Sequence, residues 1–336
     1  MKRIIECVPN FSEGIDQKII GAIANEIIGV AGVKLLNVDP GKGANRTVMT
    51  FAGEPEGIIE AAYLAIKKAG ELIDMRTQTG EHPRMGATDV CPLIPISNIT
   101  MAETIEYANN LARRVGEELG IPVYLYEYSQ PDKTRSNLSI IREGEYEGFF
   151  SKIKQPGWQP DFGPAELDAK RGATVIGARD LLVAYNINLN TTSTQIAHQI
   201  ALDIRESGRT IRDAEGNKKQ IPGTLKKVKA IGWYIEEYGV AQVSMNLTDI
   251  NTTPFHIVFE EVCNKALAYG VKVTGSELIG MIPLNAMLDA GKYFFHKQLL
   301  PGDVSESELI GNAIKHMCLD ELSTFDPRKR IIEYQL

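Results

Sequence analysis

The loop at residues 79–90, TGEHPRMGATDV, places one of the five histidines of the chain among charged and glycine residues. His82 follows an acidic residue and precedes Pro83, whose fixed φ and missing N–H restrain the backbone. An imidazole with an ordinary pKa of about 6.5 exchanges a proton near physiological pH, and charged neighbours shift that pKa. The pattern predicts that His82 is a general acid and base, with a solvated loop histidine as the alternative.

A metal site at this loop is a weaker interpretation. Glu81 or Asp89 could join His82 as a ligand, but no HxH or HExxH spacing surrounds the histidine. The cysteines form no CxxC pair that would indicate zinc binding or redox chemistry. They are Cys7, Cys91, Cys263 and Cys318. We therefore expect no metal, and reduced thiols as in a cytoplasmic protein.

Two further segments carry residues that could support such chemistry. VDPGKGANRTV, residues 38–48, ends a strand at Asp39 and then offers Arg46, without the GxxxxGK[ST] pattern of a phosphate loop. Asp39 could orient an imidazole, or it could be an ordinary turn aspartate. DFGPAELDAKRGATVIGAR, residues 161–179, contains cations that could hold a carboxylate, or it could be a solvated linker.

Composition limits the class of protein. The chain has 336 residues, of which 43% are hydrophobic and 24% are charged, as in an ordinary globular protein. Its net charge of -7 argues against a general nucleic-acid binder. No apolar stretch approaches the roughly 20 residues that span a bilayer, and the N-terminus lacks a secretory apolar run. We expect a cytoplasmic protein that binds neither nucleic acid nor membrane.

Hydrophobic periodicity predicts the elements that position these residues. The first 97 residues predict strands and helices in the order β-α-β-β-α-β, which is the ferredoxin-like arrangement. Pro55 is well placed at the first position of the second helix. Thr100 with Glu103 predicts a capping box at the start of the next helix.

The second half repeats this order, which predicts an α+β protein of two similar ferredoxin-like (βαββαβ) subdomains. The free face of each sheet could meet that of the other subdomain or line a groove between them. Tyr238-Gly239 predicts the turn of a hairpin in the second half. Residues 129–180 form a loop-heavy crossover between the repeats.

Several long strings resemble glutamate formimidoyltransferase, the N-terminal part of the animal formimidoyltransferase-cyclodeaminase. They stand in the family's order over nearly the whole chain. They are ECVPNFSEG, NRTV.TF.G, TGEHPRMGATDVCP.IP, YLYE, GEYEG, PDFGP and GAR..LVAYN.NL.T.

The resemblance implies transfer of a formimino group from N-formimino-L-glutamate to N5 of tetrahydrofolate, which is a co-substrate, in histidine breakdown. It implies that His82 is the catalytic histidine, and we expect Asp39 to orient it and favour its charged form. It implies a folate-binding stretch at Gly163, Pro164, Ala165, Glu166, Leu167, Asp168, Ala169, Lys170, Arg171 and Gly172. The carboxylates of the substrates require cations, for which Arg46 and Arg84 are candidates beside Lys170 and Arg171.

The resemblance also implies a homodimer and a groove between the two ferredoxin-like subdomains, with the first, which carries the catalytic loop, at residues 1–180 and the second at 181–336. Deaminase activity is not expected, so a separate cyclodeaminase protein is a further candidate partner. Two alternatives stay open from the residues. One is formyl transfer from N-formylglutamate to tetrahydrofolate, and the other is a folate-binding module that catalyses no reaction.

Overall fold

The computed structural model describes residues 2–212, 216–297 and 304–335. The chain divides into two units, residues 1–180 and 181–336. Both contain sheets and helices, so the predicted mixed α and β class in two subdomains is confirmed. No helix in the described ranges is both long and apolar enough to cross a bilayer.

The first unit contains seven strands and five α-helices within its described residues. They are β1 (Ile4–Cys7), β2 (Asn10–Phe11), α1 (Gln17–Ile28), β3 (Val33–Gly41), β4 (Arg46–Gly53), α2 (Pro55–Leu72), β5 (Thr88–Ser97), α3 (Met101–Leu119), β6 (Val123–Leu125), α4 (Leu138–Ile141), α5 (Glu145–Lys152) and β7 (Thr174–Ala178).

The second unit starts with another strand and ends in a helical segment. Its described elements are β8 (Val183–Leu189), α6 (Thr194–Ile204), β9 (Arg209–Arg212), β10 (Lys218–Ile221), β11 (Val228–Ile235), β12 (Val240–Leu247), α7 (Phe255–Ala268), β13 (Val273–Ile279), α8 (Leu284–Lys297), α9 (Glu306–His316) and α10 (Pro327–Arg330).

Local signals explain where the helices of the first unit begin. The hydroxyl of Thr100 accepts a hydrogen bond from the backbone N–H of Glu103. The Glu103 carboxylate accepts one from the backbone N–H of Thr100 at 2.8 Å, which completes the predicted capping box. Pro55 is the first residue of α2, where its missing N–H costs no helical hydrogen bond. Both predicted helix starts are confirmed.

The two units share a strand order. In the first, β1 and β2 together lie between β4 and β5, β3 pairs with the far side of β4, and all these pairs are antiparallel. In the second, the order is β11-β12-β8-β13, again antiparallel. Equivalent strands therefore occupy equivalent places. The predicted hairpin turn at Tyr238-Gly239 joins β11 to β12 and is confirmed.

The predicted loop-heavy crossover is more ordered than expected. Within residues 129–180 the structure places α4, α5 and the strand β7, which pairs in parallel with both β5 and β6. All five residues of β7 are buried. A strand buried on both faces lacks polar alternation, and so the periodicity of the sequence did not reveal it.

Both faces of the sheet at β5, β6 and β7 are covered within the first unit. Val123 and Ile176 point to the face packed under helices α1 to α3. Tyr124 and Val175, each the neighbour of one of these residues, point to the opposite face and pack with Phe149 of α5. The crossover segment thus forms a second core layer, which fixes its residues close to the loop of His82.

Candidate active site

The loop of His82 runs directly beside residues 170–173. The backbone N–H of Ala87 donates to the carbonyl of Arg171 at 2.8 Å, and the N–H of Ala173 donates to that of Met85 at 3.0 Å. A Cβ on Gly86 would lie 2.1 Å from the carbonyl oxygen of Ala173. The loop therefore needs glycine at residue 86 because two backbones approach each other there.

A β-bulge at the end of this loop turns Asp89 toward the site. On β2, Asn10 is opposite Val90 and Phe11 is opposite Thr88, so Asp89 is the extra residue of β5. Its carboxylate is fully buried. Oδ2 accepts hydrogen bonds from Arg46 Nη1 at 2.7 Å and from the Nη1 atom of Arg142 at 2.5 Å. Asp89 therefore joins β4, β5 and the end of α4.

Arg46 is held in one orientation by two neighbours. Its Nε and Nη2 atoms donate to Oδ1 of Asn10, at 2.9 and 2.7 Å, and its Nη1 atom donates to Asp89. Burial lowers the pKa of Arg46 to about 10, with the attraction of Asp89 opposing the shift. The guanidinium still carries its positive charge at neutral pH.

The imidazole of His82 is partly buried against this guanidinium. Its Nδ1 atom lies 2.8 Å from Arg46 Nη1 and 2.8 Å from the carbonyl oxygen of Pro83. Burial first, and then the positive charges of Arg46 and Arg142, hold the pKa of His82 well below its usual value. The surroundings as a whole thus favour the neutral ring, in contrast to the effect expected from Asp39. A ring that donates from Nδ1 to Pro83 has its basic lone pair on Nε2.

Asp39 lies on the same face of the sheet as the Arg46 side chain. On β3 it is directly opposite Val48 of β4, and Asn10 of β2 is opposite Val48 on the other side. Register partners and residues two apart in a strand share a face. The strand order therefore brings Asp39, Arg46 and Asn10 to one surface. A contact between Asp39 and His82 stays a prediction.

Arg84 is engaged by the protein itself. Its five N–H groups are directed to Gln78, Glu145 and Glu147, with the shortest distance 2.7 Å to Glu147 Oε1. These contacts fasten the loop to the start of α5. Substrate binding by Arg84 stays a prediction. In the structure, its side chain holds the His82 loop against α5.

The predicted folate-binding stretch has two parts. Residues 163–166 are exposed, whereas residues 167–172 are at least partly buried. Lys170 Nζ donates to the Glu71 carbonyl at 2.6 Å, and Arg171 donates to Asp168 and to the Leu119 carbonyl. The stretch therefore runs beside the loop of His82, but these two cations already have protein partners.

Sequence reasoning missed three residues of this arrangement. No sequence pattern marked Asn10 or Arg142 as a site residue, because each is far from His82 in the sequence and reaches the site only in the folded protein. Asp89 was considered only as a metal ligand, and here it binds two guanidinium groups. No group of three or more His, Cys, Asp or Glu residues is placed to hold a metal within residues 2–212, 216–297 and 304–335.

Comparisons with known proteins agree over the whole chain. Residues 4–179 match the formiminotransferase domain, N-terminal subdomain, and residues 184–336 match the formiminotransferase domain. The formimidoyltransferase-cyclodeaminase of Gallus gallus is 49% identical over 334 residues, which are 99% of this chain and 60% of that protein. The chain therefore spans about three fifths of this longer relative.

Shorter relatives match along most of their length. The glutamate formimidoyltransferase of Streptococcus pyogenes serotype M1 is 41% identical over 318 residues, which are 93% of this chain and 100% of that protein. The glutamate formimidoyltransferase of Thermoplasma acidophilum is 41% identical over 293 residues, covering 87% of this chain and 92% of that protein.

Proposed function

The chain belongs to the formiminotransferase domain family, and from this premise we propose that it is a glutamate formimidoyltransferase. It moves the formimino group of N-formimino-L-glutamate to N5 of tetrahydrofolate, giving 5-formiminotetrahydrofolate and L-glutamate, a step of histidine degradation. The observation that carries the proposal is the contact of the His82 imidazole with Arg46, 2.8 Å from Nδ1 to Nη1, in the loop that carries the family resemblance.

His82 moves one proton in two directions. N5 of tetrahydrofolate attacks the formimino carbon, and a bond forms between them while N5 loses its proton to the imidazole. The bond between the formimino carbon and the glutamate nitrogen then breaks, and the imidazolium returns the proton to that nitrogen. A lowered pKa suits this cycle, because the ring starts neutral and readily gives up the proton that it gains.

The neighbours of His82 have separate tasks. Arg46 lies against the Nδ1 edge of the ring and disfavours its protonation, and Asp39, on the same sheet face, orients the imidazole and stabilises its transient positive charge. Residues 163–172 bind the folate, and the hydrogen bond from Ala87 of the loop to the Arg171 carbonyl supports a location close to His82. Binding both substrates side by side lowers the barrier further, since it removes the entropy loss of a bimolecular encounter.

The direct test is release of glutamate. Purified protein is mixed with tetrahydrofolate and N-formimino-L-glutamate, and L-glutamate is measured with a coupled dehydrogenase. We expect one glutamate per folate converted, and no release when tetrahydrofolate is omitted. The absence of folate-dependent release would defeat the proposal.

Two alternatives are separated by the same assay. Formyl transfer would appear as faster glutamate release from N-formylglutamate than from the formimino donor. A folate-binding module without chemistry would bind tetrahydrofolate in calorimetry and release no glutamate from either donor.

Cytoplasmic location and a homodimer are part of the proposal; the first rests on the scattered cysteines and the sequence composition, and the second on the family resemblance. Light scattering of the purified protein tests the dimer. A separate cyclodeaminase is a candidate partner, because the names of the longer relatives combine the two activities. Co-purification with such a protein tests this association.

A further inference from the structure

Two guanidinium groups share one carboxylate beside His82. Arg46 and Arg142 both donate from Nη1 to Oδ2 of Asp89, which is fully buried. With His82 neutral, these three charged groups carry a net positive charge, and they are shielded from water, with side-chain exposures of 11% for Arg46, 0% for Asp89 and 14% for Arg142. Such a surplus favours an anionic ligand.

Arg142 has hydrogen-bond donors that the protein leaves free. Its Nη1 atom binds Asp89, but its Nε and Nη2 atoms have no hydrogen-bond acceptor among residues 2–212, 216–297 and 304–335. Its side chain is 14% exposed, and neither Nε nor Nη2 is among the buried side-chain atoms that lack a hydrogen-bond partner, so this edge is accessible from the solvent. Nε and Nη2 form one side of the planar guanidinium, which matches the two oxygens of a carboxylate.

The other candidate cations near the loop already use their Nε or Nζ atoms in hydrogen bonds within the protein. All five N–H groups of Arg84 are directed to protein acceptors, and Lys170 and Arg171 bind backbone carbonyls. Arg46 and Arg171 also use Nε, in hydrogen bonds to Asn10 and Asp168, so within the described residues Arg142 differs from the guanidinium groups that the sequence suggested by keeping both Nε and Nη2 free.

The backbone that carries Arg142 is firmly placed. It follows the last residue of α4, and its N–H donates to the Leu138 carbonyl at 2.9 Å. Lys152 Nζ donates to the carbonyls of Ile140 and Ile141, at 2.6 and 2.8 Å, and so fixes the end of this short helix. A guanidinium fixed in advance loses little side-chain entropy on binding.

We propose that the Nε–Nη2 edge of Arg142 binds a carboxylate of the glutamate moiety of the formimino donor, and so places that donor beside His82. The inference rests on the proposed function, because it assigns a subsite for its donor. The substrate carboxylate neutralises the net positive charge of Arg46, Asp89 and Arg142. It accepts hydrogen bonds from Nε and Nη2 of Arg142, which have no acceptor among the described residues. The same contact retains the product L-glutamate, which carries both carboxylates.

The test compares Arg142→Met with a matched control. Arg135 belongs to the same segment, its side chain is also 14% exposed, and it pairs with Asp161 away from the His82 loop. For Arg142→Met we expect KM for N-formimino-L-glutamate and Kd for L-glutamate to rise about 10- to 100-fold, as for the loss of a charge-assisted hydrogen bond. KM for tetrahydrofolate stays within about twofold in this variant. Arg135→Met changes none of the three constants.

Arg142→Lys keeps the charge but loses the planar edge. We expect it to weaken glutamate binding less than Arg142→Met does, which a purely structural role of Arg142 does not predict. Thermal unfolding of each variant shows that the compared proteins are folded. Should Arg142→Met fail to fold, the Arg142→Lys data carry the comparison.

The outcomes separate the subsite from the proposed function. Wild-type glutamate binding that depends on Arg142, without any folate-dependent glutamate release, supports the subsite and defeats the transferase. Transfer activity with unchanged donor KM in Arg142→Met overturns the subsite and leaves the transferase standing. An equal rise of both substrate KM values, or no glutamate binding by the wild-type protein, also overturns the subsite.

Discussion

The Nη1 atom of Arg46 lies 2.8 Å from the Nδ1 atom of His82. The same Nη1 atom donates to the buried carboxylate of Asp89 at 2.7 Å, so the cation is fixed in place while it contacts the ring. A positive charge so close to an imidazole disfavours its protonated form. This relationship, together with burial, makes His82 a neutral base in the resting protein.

The pH dependence of activity should report this contact. Because the pKa of His82 is lowered, the acid limb of kcat/KM should lie below pH 6.5, where an ordinary imidazole is already half protonated. Arg46→Met removes the nearest cation and should move the limb to higher pH. Arg76→Met, which removes an exposed cation paired with Asp74, is the control and should leave the limb in place. An identical limb in wild type and Arg46→Met would contradict the assigned cause.

Asp89→Asn should destabilise the first unit strongly. The change leaves two guanidinium groups without their shared anion, and breaking a buried ion pair from one side costs about 3–5 kcal/mol. Asp74→Asn breaks an exposed pair and should cost at most about 1 kcal/mol. Urea titration gives the free energy of unfolding of each variant. Equal losses in the two variants would show that the buried ion pairs of Asp89 contribute no more than the exposed pair of Asp74.

Gly86→Ala should distort the catalytic loop. Its methyl group would lie 2.1 Å from the carbonyl oxygen of Ala173, so one of the two backbones must move, at a cost of about 1–3 kcal/mol. Gly148→Ala is the matched control, because its methyl group meets nothing within 4 Å on helix α5. The control should be stabilised by about 0.5–1 kcal/mol, as for Gly to Ala in a helix. Comparable melting temperatures for the two variants would refute the packing argument.

His256 should make the stability of the second unit depend on pH. The ring is buried in α7 and stacks on Tyr293 of α8 with centroids 4.5 Å apart. Burial lowers its pKa, so the unfolded chain takes up a proton at a higher pH than the folded protein does. Stability therefore falls as pH decreases from about 6.5 through the lower folded pKa. His256→Phe keeps an aromatic ring and should lose less stability between pH 7.5 and 5.5 than wild type, and an equal loss would exclude this contribution.

The sequence predicted elements whose signals are local. Apolar periodicity predicted the helices of the two repeats, but not α4 and α5 in the crossover. Pro55 and the pair Thr100 and Glu103 predicted two helix starts, and Tyr238-Gly239 predicted a hairpin turn. The strand β7 was missed because its continuous apolar run resembles neither an amphipathic strand nor a helix.

The site was only partly predictable for the same reason. His82 and Arg46 belong to distinctive local sequences, and the structure brings them into contact. Asp89 reaches Arg46 through a β-bulge, and Arg142 reaches Asp89 from 53 residues away. No local sequence pattern predicts a β-bulge or a contact between residues so far apart in the sequence. Arg142 and its free donors could therefore be identified only from the three-dimensional structure.

The most direct test of the account is the turnover of His82→Ala with tetrahydrofolate and N-formimino-L-glutamate. We predict that kcat falls about 10²–10⁴-fold, because the variant loses the group that moves the proton from N5 to the leaving nitrogen. Tetrahydrofolate binding, measured by calorimetry, should remain. Turnover near the wild-type rate in a folded variant would contradict the central role of His82.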